Sequence, residues 1–363
     1  MSIDVVPDDV LLEVFDFYVA GDMYSKDKEA WQTLVHVSRR WRSIVFGSPR
    51  RLDLQLVCTY KTPVRNTLDV WPALPLVVNN IGCQGEGMDN IIAFLKPSEL
   101  VSRIHHIGLW EVPLEDILEA MEVPFPELRY LALHHLRDEM GPVSLSDSFL
   151  GGSAPRLLYL DFDNIQFTCL PKLLSSATHL TDLHLSNIPH SAYISPEAMV
   201  ACLFILTNLD ALTLQFQSPQ SCPDRERRRP PPLKRTVLPV LTYFQFRGVG
   251  EYLEDLMARI DTPELDFLDI TFFNDIIFDT PQFTRLISHT PTFEAFDEAS
   301  ITLGYDIAGI KLSSEISDRV KLIVSISCRE LDWQLSFLEQ VCTSSLLPFF
   351  TLEDLDIFEH SDL

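Results

Sequence analysis

The chain has 363 residues, 46% of them hydrophobic, enough length and apolar content to bury one large core or two and too much to stay disordered. Its 52 acidic residues outnumber 28 basic ones, a formal charge of -24, so its surface repels a phosphate backbone and nucleic acid is excluded as the main partner. The apolar run that contains Met199 to Leu206 is far shorter than the roughly 18 residues that span a bilayer, so no membrane partner is expected.

The first residues, Met-Ser-Ile-Asp-Val-Val-Pro-Asp-Asp, are acidic where a secretory signal needs a basic start and then a continuous apolar stretch. Seven cysteines (58, 83, 169, 202, 222, 328 and 342) stand singly and never as CxxC, which is the pattern of reduced thiols and not of a disulfide framework or a zinc site. These features imply an intracellular protein, cytoplasmic, nuclear or both.

Pro7-Asp8-Asp9 followed by Val10, Leu11, Val14, Phe15, Tyr18 and Val19 predicts a helix: proline in the first turn, carboxylates at the positive end of the dipole, then an apolar stripe. Gly21 to Lys28 breaks it. A second stripe runs Trp31, Leu34, Val35, Val37, Trp41, Ile44 and Val45, with Arg39, Arg40 and Arg42 interleaved, until Gly47-Ser48-Pro49 ends it. So small a helical unit carries more large apolar side chains than two short helices can hide from each other, and it calls for a further packing surface.

The residues Val-Pro-Asp-Asp-Val-Leu-Leu-Glu-Val-Phe (6 to 15) and Trp-x-x-Leu-Val-His-Val-Ser-Arg-Arg-Trp-Arg-Ser-Ile-Val-Phe (31 to 46) resemble an F-box. The resemblance covers the first fifty residues and extends loosely through Gly47-Ser-Pro-Arg-Arg-Leu-Asp-Leu-Gln-Leu, a continuation familiar in fungal F-box proteins. It implies docking on a Skp-type adaptor and, through it, on a cullin scaffold. In that reading Pro7, Val10, Leu11, Phe15, Leu34, Val37 and Trp41 form or support the adaptor face. The segment Gly21 to Lys28 is longer than the family's commonest form, and Ser38 stands where Cys is frequent; neither removes an apolar anchor. The alternative is that these helices only cap the open end of a repeat array.

Leu52-x-Leu54-x-Leu56 and Leu74-x-Leu76-Val77-Val78 alternate like strands around a proline-containing turn and predict irregular first repeats within 51–102. From there the template apolar-x-x-apolar-x-apolar recurs as Ile104/Ile107/Leu109, Leu128/Leu131/Leu133, Leu157/Leu160/Phe162, Leu180/Leu183/Leu185, Leu209/Leu212/Leu214, Leu241/Phe244/Phe246 and Leu265/Leu268/Ile270. Phe293/Phe296 continues the series with Glu298 in the third slot, Leu352/Leu355/Ile357 repeats it near the end, and a degenerate unit around Val320 to Ile326 fills the gap. Each unit predicts a short strand with its apolar residues inward and a return segment. Helical spacing marks Pro196 to Leu206, Gly250 to Ile260 and Pro281 to Ser288 as return helices.

The spacing of these units is close to the roughly 20 to 29 residues of leucine-rich repeats, which residues 103–363 resemble. The family's Asn or Cys after the last strand leucine is replaced by Val112, Leu136, Ile165, Ile188 and Val249, which predicts a wider, irregular turn. The expected fold is therefore α/β: all-α F-box helices (1–50), a connecting segment (51–102) and an irregular leucine-rich-repeat solenoid (103–363). Positions 3, 5 and 7 of each repeat then face the concave side, a common binding face in that family. They supply Trp110, Tyr130, Tyr159, Asp161, Asp163, Asp182, Tyr243, Phe267 and Asp269, an acidic and aromatic surface that suits a basic segment of a protein substrate.

A search for chemistry finds none. Gly85-x-Gly87 and Gly248-x-Gly250 lack the third glycine of a phosphate cradle, and Gly151-Gly152-Ser153-Ala154-Pro155 lacks the closing glycine of a nucleophile elbow. The pairs His105-His106 and His134-His135 lie on strands, where neighbours point to opposite faces, so each pair offers at most one ligand to a shared metal. Arg225 to Arg235, a basic proline-rich run, reads as a solvated insertion or a nuclear-import or acidic-partner segment. No catalytic residue, metal or cofactor is expected. The resemblance implies a non-enzymatic substrate-recognition subunit of a cullin-based, SCF-type ubiquitin ligase; the alternative is a repeat scaffold for protein interactions unconnected with ubiquitin.

Overall fold

The computed structural model describes residues 6–19, 30–61, 72–80, 87–136, 141–219, 234–273, 280–314, 319–343, 347 and 351–359. The segment Gly21 to Lys28, Cys83, Cys222 and all of the basic run except Lys234 and Arg235 lie outside them. Three helices come first: α1 (Asp8–Val19), α2 (Ala30–Val37) and α3 (Arg39–Gly47). The second apolar stripe is thus two helices. Ser38 divides them, extended at φ -156°, its side chain accepting from the Trp41 backbone N–H at 3.1 Å and capping α3.

The first nine strands are β1 (Leu56–Cys58), β2 (Leu76–Asn79), β3 (Ile104–Val112), β4 (Tyr130–His135), β5 (Val143–Ser144), β6 (Tyr159–Asp163), β7 (Ile165–Gln166), β8 (Asp182–Ile188) and β9 (Ala211–Phe216). After them come β10 (Thr236–Val237), β11 (Tyr243–Gly248), β12 (Ile260–Asp261), β13 (Phe267–Phe273), β14 (Glu298–Leu303), β15 (Ala308–Ser314), β16 (Arg319–Ser327) and β17 (Asp354–Glu359). Thirteen of them form one sheet in the order β1-β2-β3-β4-β6-β8-β9-β11-β13-β16-β15-β14-β17. The fold is mixed α/β with a large, mostly parallel sheet. Of the strands expected at 52–56 and 74–78, Leu56–Cys58 and Leu76–Asn79 form; ahead of β1 Asp53 turns left-handed (φ 42°), with Leu52 and Leu54 buried on either side of it.

From β3 to β13 every strand of this sheet pairs in parallel and keeps the template in step: Ile107, Leu131, Leu160, Leu183, Leu212, Phe244 and Leu268 lie side by side. All are buried. Return helices at Leu170–Ser176, Pro196–Leu203, Gly250–Met257 and Pro281–His289 pack their apolar stripes into the same core, so burial of one face of the sheet is what selects this arrangement.

Of the five apolar residues that stand where the repeat family has Asn or Cys, Val112, Ile165 and Ile188 have a physical role, whereas Leu136 is exposed and Val249 half-buried, with no left-handed residue before either. Glu111, Asn164 and Asn187 adopt left-handed backbone (φ 54°, 57° and 48°), and each resets the alternation so that the next residue, Val112, Ile165 or Ile188, turns back into the core. The strand register shifts at two of these places, between Leu109 and Val112 and between Leu185 and Ile188. The predicted wide turn is there a bulge that adds one more buried side chain per strand.

Past β13 the series departs from expectation. Phe293 lies in a 3-10 turn (Pro291–Phe293), and the strand that begins at Glu298 does not pair with β13. The neighbour of β13 is β16, the segment expected around Val320 to Ile326, with Leu268 beside Leu322 and Ile270 beside Val324. β15 and β14 then run antiparallel, each to the strand before it, and β17 closes the order parallel to β14. Leu355 and Ile357, expected in the core, are 56% and 66% exposed. Their phase is right, since they continue the rows through the buried Ala299 and the half-buried Ile301, but among the described residues no element covers them.

Candidate functional site

Two surfaces stand out. The first is on α1. Leu11 and Phe15 are buried, Phe15 lying 4.7 Å from the Trp41 ring centroid, and Leu34 is buried with Trp31 and Val35 on α2. Arg40 ties the bundle at its other end, its Nε donating to Asp8 Oδ1 at 2.9 Å and a terminal nitrogen to the Val6 carbonyl at 2.5 Å. The helices are joined to the turn ahead of β1: Trp31 Nε1 donates to the Gln55 carbonyl at 3.0 Å and Arg51 pairs with the exposed Glu13.

The outer face of α1 is also apolar. Val10, Val14, Phe17 and Tyr18 follow one another at helical spacing and are exposed, Phe17 to 88%, and Val37 at the end of α2 is 56% exposed. Of the residues assigned to the adaptor face, Pro7, Val10 and Val37 are exposed, while Leu11, Phe15, Leu34 and the half-buried Trp41 lie beneath and support it. Val14 and Phe17 complete the outer stripe. Phe17 escapes a reading from the inner stripe because it belongs to a second stripe rotated around the same helix.

The second surface is the face of the sheet opposite the return helices. Position 3 forms a row from His106 through Tyr130, Tyr159, Asp182, Ala211 and Tyr243 to Phe267. Its rings stack on one another: His106 on Tyr130 at 3.9 Å, Tyr130 on Tyr159 at 4.2 Å and Tyr243 on Phe267 at 4.8 Å. The faces of Tyr130 are therefore filled by its neighbours, so a cation meets ring edges and hydroxyls there, not an open π face.

The acids of this face differ from one another. Asp161 Oδ2 is 2.8 Å from His134 Nε2 and accepts from Tyr159 Oη at 3.4 Å; Asp163 is buried and accepts from Asn187 Nδ2 at 2.6 Å. Asp269 accepts from Gln245 Nε2 at 2.9 Å, and burial raises its carboxyl above the ordinary range despite that bond and nearby Lys311. Burial lowers the His184 imidazole, whose Nδ1 lies 2.9 Å from Thr213 Oγ1. Trp110 lies across Gly108 at the edge of this surface, its backbone gripped by the Asn80 side-chain amide through bonds of 2.8 and 3.0 Å.

Where α1 and the 51–55 turn meet this face they enclose a cleft of about 650 Å³, lined among others by Asp16, Arg51, Asp53, His106, Arg129, Tyr130, Tyr159 and Asp182. The structure thus brings Tyr130, Tyr159 and Asp182 together in one cleft that Asp16 and Asp53 also line, whereas Tyr243, Phe267 and Asp269 lie farther along the sheet. Asp16 and Asp53 carry no repeat signal and are found only once the fold lays the helical unit beside the sheet. Among the described residues no group of three or more His, Cys, Asp or Glu gathers as a metal site, and burial raises the Cys202 thiol to about 11 and also raises that of Cys169. No helix among those residues is long and apolar enough to cross a membrane. Compared with protein-family models and with curated proteins, the chain matches none.

Proposed function

We propose that this chain is the substrate-recognition subunit of an SCF-type ubiquitin ligase: α1 to α3 form an F-box that binds a Skp-type adaptor and through it a cullin, and the sheet, read as leucine-rich repeats, holds a protein substrate. It is not itself a catalyst; ubiquitin transfer belongs to the assembled ligase. The observation that carries this reading is the second apolar stripe of α1. A helix already bound to its own domain through Leu11 and Phe15 has no internal reason to keep Val10, Val14, Phe17 and Tyr18 in water, and a patch of that kind marks a protein interface.

The substrate would meet the cleft beside Tyr130, Tyr159 and Asp182, where Asp16 and Asp53 add acidic groups. A basic side chain of the substrate would meet these carboxylates beside Arg51 and Arg129 of the same cleft, where Asp182 already accepts from Thr181 Oγ1 and Asp53 from Gln55 Nε2, while Asp161 and Asp163 are engaged by His134 and Asn187. The bonds from Trp31 to Gln55 and from Arg51 to Glu13 also support the second reading, in which the helices only cap the sheet of an interaction scaffold.

The two readings separate in one experiment. Val14→Asp combined with Phe17→Asp leaves the buried residues untouched, and near-ultraviolet circular dichroism checks that the fold is intact. Aromatic anchors at interfaces are worth about 2 kcal/mol or more each, so capture of a purified Skp-type adaptor should be lost. Undiminished capture by the folded double variant would remove the F-box reading and leave the cap.

A further inference from the structure

β17 is the last strand of the sheet, and its outer edge has no neighbour among the described residues. The Asp354 backbone N–H donates inward to the Asp297 carbonyl at 3.1 Å. Strand geometry alternates, so the N–H and C=O groups of Leu355 and Ile357 point to the outer edge. These two residues also expose their side chains, on the same face as the core rows of Ala299 and Ile301. The edge therefore offers backbone donors and acceptors and an uncovered apolar strip at the same positions.

The opposite face of β17 carries Asp354 and Asp356, with the exposed Phe358 beyond them. Asp354 lies directly beside Glu298, and both are exposed; like charges facing each other across a strand pair are destabilising. Asp356 lies beside Ser300, and the nearest cation in that row, Lys311, is a further strand away. A cation added on the outer side of β17 would relieve the Glu298–Asp354 repulsion and pair with Asp356. A second copy of this chain would bring Asp354 and Asp356 of its own to the same place, so charge disfavours self-pairing.

We propose that β17 accepts an extended segment of a partner protein as an added strand, the segment alternating apolar residues, which cover the face of Leu355 and Ile357, with Lys or Arg, which meet Asp354 and Asp356. Backbone bonds at the edge supply affinity and the alternating side chains supply selectivity. The inference stands apart from the adaptor reading, because it uses neither α1 nor the cleft.

The test uses the full chain and a short synthetic peptide of alternating Val and Lys, followed by fluorescence anisotropy, with a peptide of the same composition in two blocks and an alternating Val and Glu peptide as controls. The alternating basic peptide should bind alone, more weakly as salt rises, and should slow hydrogen exchange at the Leu355 and Ile357 amides. Ile357→Pro removes an outward N–H without touching the bonds to β14, and should weaken binding about tenfold or more. Asp354→Lys with Asp356→Lys should also abolish it, which keeps the test decisive should the proline variant misfold. Equal binding of the block peptide, binding unaffected by these variants, or no binding at all would overturn the proposal. So would amides of Leu355 and Ile357 already protected in the free protein, or a dimer that Ile357→Pro dissociates.

Discussion

Burial of His184 holds its imidazole below the usual histidine range, against the opposing pull of Asp161 and Asp182 and helped by the neighbouring His134. The neutral ring is the form the fold accepts, so stability is complete above the ordinary value near 6.5 and declines as the pH drops below it. His105 is lowered too, burial again being the first cause, with Arg129 acting the same way. The melting temperature should therefore fall between pH 7 and pH 5, and His184→Gln, which can still bond Thr213, should lose part of that dependence. A variant with an unchanged acid slope would show that protonated His184 finds a partner in the folded protein.

At the scale of elements, the return segments are stitched to one another by charge. Both carboxylate oxygens of Glu254, on the helix Gly250–Met257, accept from the Gln282 and Phe283 backbone N–H groups at 2.8 and 2.9 Å. They cap the first turn of the next return helix, Pro281–His289, where the dipole favours an anion. Arg259 reaches back to Glu197 on the previous helix at 2.6 Å. Glu254→Ala should lower stability by about 1 kcal/mol, the usual worth of such a cap, and should speed amide exchange chiefly in 281–289. Glu254→Gln, which can satisfy only one of the two N–H groups, should fall between. These links were not legible in the sequence, because each joins groups from different repeats whose helices have no fixed spacing.

For the molecule as a whole, the period of the template was the strongest signal in the sequence, and from Ile104 to Ile270 it placed the strands of the large sheet and their inward leucines, since one misplaced residue in a strand would turn its leucines to water, but it gave no sign of the short pairs β5–β7 and β10–β12. The bulges were half legible: Asn164 and Asn187 suit left-handed backbone, and the apolar residue after each is the sign of a second turn into the core. The excursion after β13 was not legible. Phe293 and Phe296 are buried as the template requires, but burial alone does not choose a neighbour, and the antiparallel pairing of β14 with β15 depends on Gly304 to Ile307, which carries no repeat signal. For the candidate site, phase placed Tyr130, Tyr159 and Asp182 on the open face; the cleft they share with Asp16 and Asp53 arises from residues far apart in the chain. The outer stripe of α1 was in view as Val10, Val14 and Tyr18, lacking only Phe17, but was merged with the inner one.

The displaced position of β16 also sets an order of events during folding. From β3 to β13 each strand finds its neighbour one repeat away, so assembly there can spread stepwise along the chain as it is made. The outer edge of β13 has no such neighbour and must wait until residues 319–327 exist and the intervening loop closes, a non-local step that is intrinsically slower. Pulse-labelled hydrogen exchange during refolding should find the amides of β4 to β11 protected early and those of β14 to β16 late. Simultaneous protection of both groups would mean that the excursion forms within a single cooperative nucleus.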